Sequence, residues 1–322
     1  MVENYVLAKK IVSKKLDATH TMYPFMVCSL YGLLCKYPGH EDMITSLFST
    51  TDIIFEKGSV EEILRKYQID MDFANPIPDD PESVISTLGV SNQGHSFILD
   101  HGEVVYEKNK PFVICSTSYT NMTRLLNTFC HEMGHLIKGE ENGFHHTMIN
   151  DRPTFIIRTG MTYIIYMYDK DFTEVELSNS FGVLDEAINC IQTTDVMKEI
   201  LALDSFVEED SIHSFIQCLD KEDMIKDHGY EDIVLLLRLF WNQDSFRDLI
   251  EANIVHGEID SIVSDFDSMM GDSSFREMSE ILEELYEMGE EYDENRFNFL
   301  IDSYKEMAEQ YKSQIKERKK DI

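Results

Sequence analysis

Between about Asn121 and Lys138 the residues Leu125, Leu126, Phe129, Met133, Leu136 and Ile137 recur at helical spacing on one face, which predicts an amphipathic helix. Gly139 is placed to end it. The flanking segments follow a different period. Ser96–Asp100, Glu103–Glu107 and Pro111–Ser116 are short β-branched and apolar runs, with His101-Gly102 between the first two. Thr154–Arg158 and Met161–Tyr168 likewise flank Thr159-Gly160. Each pair reads as a hairpin. A second helix is expected to begin near Leu184, and everything from about Asp195 onward reads as helix. The first 90 or so residues read as short helices, one opened by the capping box Ser59-Val60-Glu61-Glu62 and running through Tyr67, before the Pro- and Asp-rich loop Asn75–Pro81. The expected class is α+β, mostly helical, in three regions: 1–90 N-terminal helices, 91–200 a mixed core, and 201–322 an acidic helical region.

With 43% hydrophobic and 11% aromatic residues, the 322-residue chain has material for a sizeable core. Its formal net charge is −32, from 60 acidic and 28 basic residues. That excess repels phosphate backbones and anionic membrane surfaces, so neither nucleic acid nor membrane is expected as a partner, and clefts favour cations. Residues 201–300 carry 27 acidic and 6 basic side chains. Apolar runs such as Leu235–Trp241 make this a solvated face on packed helices. The cysteines, Cys28, Cys35, Cys115, Cys130, Cys190 and Cys218, form no CxxC pair and are too sparse for a disulfide scaffold. Reduced, mostly buried thiols of a cytoplasmic protein are expected. The apolar run Met22–Cys35 is shorter than the roughly 20 residues that span a bilayer and lacks a signal-peptide cleavage site, so it reads as a buried helix.

The chemistry lies in His131-Glu132-Met133-Gly134-His135. Histidines at i and i+4 project from one helix face and can grip one metal ion, while the glutamate between them can reach a water on that ion as general base. Its neighbours Phe129, Cys130, Leu136 and Ile137 supply dry surroundings. Zn2+ in a hydrolase takes three protein ligands and leaves a fourth position open. The metzincin pattern fails, because Lys138 stands where glycine is required and Glu141 where a third histidine belongs. His145 and His146 are near but lie in a Gly- and Asn-rich stretch read as a loop. The better candidate is Glu186, in the first turn of a helix whose other face is apolar. An acid there also fits helix capping, a role open to Asp185 as well.

This motif with uncharged flanks, a glutamate on a later helix, and Thr128 three residues before the first histidine resembles the gluzincin, thermolysin-like class of zinc metallopeptidases. Pro111–Gly139 with Leu184–Thr194 is also similar to a group of uncharacterised bacterial intracellular zinc peptidases. The resemblance implies His131, His135 and Glu186 as Zn2+ ligands and Glu132 as general base. It further implies a zincin-like core, with the active helix under a small sheet and Pro111–Ser116 pairing with an extended peptide or protein substrate. Thermolysin-like enzymes carry an acid four residues after the ligand glutamate; here that residue is Cys190, with Asp185 or Asn189 as substitutes for orienting a histidine. No oxyanion-stabilising residue is assigned, and Tyr163, Tyr166, Tyr168, His145 and His146 read as structural. The expected function is a cytoplasmic zinc peptidase. The alternative is an inactive, zinc-stabilised protein whose acidic helices hold a basic partner.

Overall fold

The computed structural model describes residues 1–67, 89–100, 103–118, 120–141, 143–168, 174–226, 230–288 and 293–318. The loop expected at Asn75–Pro81 and the turn expected at His101-Gly102 lie outside the described residues. In chain order the elements are α1 (Val2–Val12), α2 (Tyr23–Lys36), α3 (Glu41–Thr50), β1 (Asp52–Glu56), α4 (Val60–Tyr67), β2 (Gly89–Asn92), β3 (His95–Asp100), β4 (Glu103–Lys108), β5 (Phe112–Ser116) and α5 (Met122–Glu140). Then come β6 (Phe144–Ile149), β7 (Arg152–Thr159), β8 (Thr162–Tyr168), β9 (Glu174–Ser180), α6 (Gly182–Leu203), α7 (Asp210–Gln217) and α8 (Lys221–Met224). The chain continues with α9 (Glu231–Trp241), α10 (Asp244–Asn253), α11 (Ile259–Met270), α12 (Ser274–Glu287) and α13 (Glu294–Arg318). The class is α+β and mostly helical, as expected. No helix among the described residues is long and apolar enough to cross a membrane.

Two compact units are present, one of Met1–Ile137 with Gln192–Lys226 and one of Lys138–Ile191 with Asp227–Ile322. Both α5 and α6 are continuous helices with residues in each. In the first unit a sheet runs β1-β5-β2, with β1 parallel and β2 antiparallel to β5. Ile54, Ile114 and Val90 stand in register across it and pack with Val60, Ile63 and Leu64 on and beside α4. The alternate positions face the other way. Phe55 meets Phe25 of α2 at 5.3 Å and Phe129 of α5 at 5.7 Å between ring centroids. The sheet is therefore covered on both faces. The half-buried edge strand β1, Asp52-Ile53-Ile54-Phe55-Glu56, has three apolar residues in a row and no polar alternation, and it lies in a region read as helices only. The run Met22–Cys35 does form a helix, α2, buried along most of its length.

One expectation is overturned here. The run read as Pro111–Ser116, observed as β5, is hydrogen-bonded to β1 on one side and β2 on the other. Both sides of its ladder are taken, so it has no edge to offer an extended substrate. The hairpin β3–β4 forms with Asp100 opposite Glu103.

The second unit contains the antiparallel sheet β6-β7-β8-β9. Ile149 pairs with Arg152 across Asn150-Asp151, whose φ angles of 51° and 61° are those of a two-residue hairpin turn. The stretch read as a loop around His145 and His146 is thus strand β6. The predicted hairpin around Gly160 forms, with Thr159 opposite Thr162. Gly139 does not end its helix; it is buried within α5, which continues to Glu140. Helices α9 to α13 enclose an aromatic cluster in which Phe266 stacks on Tyr311 at 5.2 Å and Phe240 meets Tyr304 at 5.4 Å. That burial gives the acidic helices a core while their charges face water.

Candidate metal centre

Helix α5 sets His131 and His135 one turn apart, with their Nε2 atoms 3.1 Å from each other. Glu186 sits just past the first turn of α6, which starts at Gly182, two residues earlier than expected, and one ligand atom from each of the three residues lies within 4.8 Å of the other two. Zinc–nitrogen bonds of about 2.0–2.1 Å in tetrahedral geometry place two ligand nitrogens roughly 3.3 Å apart. The imidazole pair already has this spacing, and two imidazoles with a carboxylate are a donor set that suits Zn2+. His135 is buried, whereas His131 and Glu186 are half-buried. These are the three residues named from the sequence. His145 and His146 do not belong to the group: both are exposed on β6, and the His146 ring stacks on Phe155 at 4.5 Å.

The first turn of α6 is held by the residue before the glutamate. Asp185 Oδ1 lies 3.3 Å from Lys138 Nζ in the last turn of α5 and accepts from the Met161 amide at 3.0 Å. Lys138 therefore anchors α5 at the position where the metzincin pattern wants glycine. The hairpin turn fits closely around the carboxylate. A Cβ on Gly160, whose φ is 59°, would lie 2.2 Å from Asp185 Oδ1, so only glycine fits. Behind the turn, the buried Arg158 guanidinium donates to the carbonyls of Gly160 at 2.7 Å, Ile254 at 3.4 Å, and Glu141. At the start of α6, Glu283 accepts from the Gly182 amide, while burial and the neighbouring Glu287 and Glu280 hold its carboxyl above the usual range.

Glu132, one residue after the first histidine, is met by β2. Ser91 Oγ donates to Glu132 Oε2 at 2.9 Å. Behind this helix face the thiols are inert. Burial pushes Cys130 up to about 12 and raises Cys28 and Cys115, so all three stay protonated.

Ser91 and Tyr230 escape the sequence reading because neither sits in a motif. Tyr230 adopts a left-handed backbone, φ 51° and ψ 29°, before α9, and its ring stacks on Tyr286 at 4.9 Å. Burial raises its phenol most, followed by the negative charge of Glu186 and then Tyr286, so the phenol stays neutral. A bulky residue in this backbone region is strained, and such strain clusters at functional sites. Tyr166 and Tyr168 are buried in the sheet, consistent with structural roles. No family model, curated protein or solved structure matches the chain.

Proposed function

We propose that this chain is a cytoplasmic zinc metallopeptidase with a zincin-like core, in which His131, His135 and Glu186 hold Zn2+ and Glu132 is the general base. The observation that carries the reading is the convergence of the three ligand atoms within 4.8 Å, on two helices far apart in sequence. When bound, Zn2+ supplies Lewis acidity toward a carbonyl oxygen and lowers the pKa of a water to about 7.

The remaining work falls to side chains. Glu132 takes a proton from the attacking water on a carboxylate oxygen and returns it to the departing amide nitrogen. Ser91 engages Oε2 of this carboxylate. Since β5 is flanked on both sides, an extended peptide pairs with the outer edge of β2, which lies over Glu132 and has β5 on its inner side alone among the described strands. Backbone pairing of this kind accommodates peptides of varied sequence. The protonated, buried thiols suit a reducing compartment.

The test is metal analysis of protein purified without chelator, paired with hydrolysis of a mixed peptide library by wild type and Glu132→Gln. We expect one zinc per chain in both proteins and a loss of turnover of about 10²–10⁴-fold in the variant. Absence of stoichiometric metal would sink the proposal. Zinc without turnover in wild type would favour the binding-protein alternative.

A further inference from the structure

We infer that Ser91 is a positioning residue that fixes the Glu132 carboxylate, an assignment that rests on the peptidase reading above. Strand β2 presents alternate residues to opposite sides. Val90 packs into the apolar cluster with Val60, Ile63, Leu64 and Ile114, which turns Gly89 and Ser91 toward α5. The strand approaches the helix so closely that a Cβ on Gly89 would lie 2.5 Å from Thr128 Cγ2, 3.0 Å from Glu132 Cγ and 3.1 Å from Glu132 Oε1. Glu132 is thus held in two ways. The bare backbone at Gly89 walls its methylene stem, and the Ser91 hydroxyl binds Oε2 at 2.9 Å.

A glutamate with three free torsions sweeps its carboxylate through several positions, only some of which meet a water at the metal. Confining the stem and anchoring Oε2 narrows the positions open to the carboxylate. Hydrogen bonds to an ionised acceptor are roughly twice as strong as neutral ones, so a serine hydroxyl is sufficient to bias the rotamer. The serine hydroxyl bonds Glu132, and its effect on the site is exerted through that carboxylate.

The assignment is tested on the zinc-loaded full chain with acetohydroxamate, a chelator whose proton passes to a carboxylate beside the metal. Binding is measured by calorimetry for wild type, Glu132→Gln, Ser91→Ala and Ser91→Thr, alongside zinc content and peptide hydrolysis. We expect Ser91→Ala to keep its zinc, bind acetohydroxamate about tenfold more weakly, and lose kcat by a similar factor at unchanged KM. Ser91→Thr, which keeps the hydroxyl, should restore both.

Wild-type binding and kcat in Ser91→Ala, with Glu132→Gln weakened, would overturn the assignment and leave the peptidase reading standing. Loss of zinc in Ser91→Ala that Ser91→Thr does not repair would also overturn it and make Ser91 a folding residue. Acetohydroxamate bound equally well by Glu132→Gln would remove the base role itself, and the Ser91 role with it.

Discussion

Lys138 and Asp185 form an ion pair whose Nζ and Oδ1 atoms are 3.3 Å apart, with neither side chain more than 2% exposed. It joins the last turn of α5 to the first turn of α6, three residues after one candidate ligand and one residue before another. Removing one member strands the other charge away from water, which costs about 3–5 kcal/mol. Lys138→Met and Asp185→Asn should each lower the unfolding free energy obtained from urea titration by that much. The double variant Lys138→Met/Asp185→Leu should recover most of the loss. Asp185→Asn should in addition weaken zinc binding, measured by chelator competition, because the adjacent glutamate loses its anchored backbone.

Zinc itself should stabilise the fold. A ligand held only by the native state, at 100 times its Kd, contributes about 2.7 kcal/mol. Thermal melts of wild type with and without added zinc should show this gain. Ala at His131, His135 or Glu186 should abolish it, each lowering affinity on the order of 10²-fold or more. Glu132→Gln should keep the gain in full, which separates the base from the ligands.

Gly89→Ala should destabilise the protein by about 1–3 kcal/mol, the usual penalty for adding a methyl where nothing can yield. The new carbon would meet Thr128 and Glu132 at 2.5 and 3.0 Å. Gly160→Ala should cost more. There a left-handed backbone and an overlap of 2.2 Å with Asp185 act together. Equilibrium denaturation of both variants orders the two effects.

Glu283 carries a pH dependence of definite sign. Burial first, then Glu287 and Glu280, raise its folded-state pKa above the unfolded value. The native state therefore binds this proton more tightly than the unfolded chain does. Stability from this group falls as pH climbs from the unfolded value through the folded one. Glu283→Gln relieves the repulsion of two like charges one helical turn away, about 0.5 kcal/mol on the scale of such pairs, and a glutamine oxygen still accepts from Gly182. The variant should melt higher than wild type at pH 7. At pH 4 and below, where wild-type Glu283 is itself protonated, the two melting curves should converge.

The helix bearing His131 and His135 was legible because its apolar residues follow one period from Leu125 to Ile137, and the hairpin around Gly160 because its strands are local neighbours. Glu186 was legible as an acid opening an otherwise apolar helix. What stayed hidden depends on distant partners. The five residues of β1 become a strand by pairing in parallel with β5, a relationship no local pattern announces. Ser91 gains its meaning from Glu132, 41 positions later, and Lys138 from Asp185, 47 positions later. Gly139 looked like a stop signal, yet the helix runs on to Glu140. His145 and His146 sit in a stretch rich in turn formers, but they lie on β6, and Asn150-Asp151 makes the turn to β7.

The pairing of Val90 with Ile114 on β5 also decides the wetness of the ground beneath Glu132. Were β2 to slide by one residue along its neighbour, every side chain on it would change sides. Val90 would then press a greasy surface against the carboxylate, and the serine hydroxyl would be driven into the cluster of Val60, Ile63 and Leu64. Four residues of backbone ladder thus act as a ratchet pawl, keeping Val90 in the apolar cluster and the Ser91 hydroxyl at the Glu132 carboxylate.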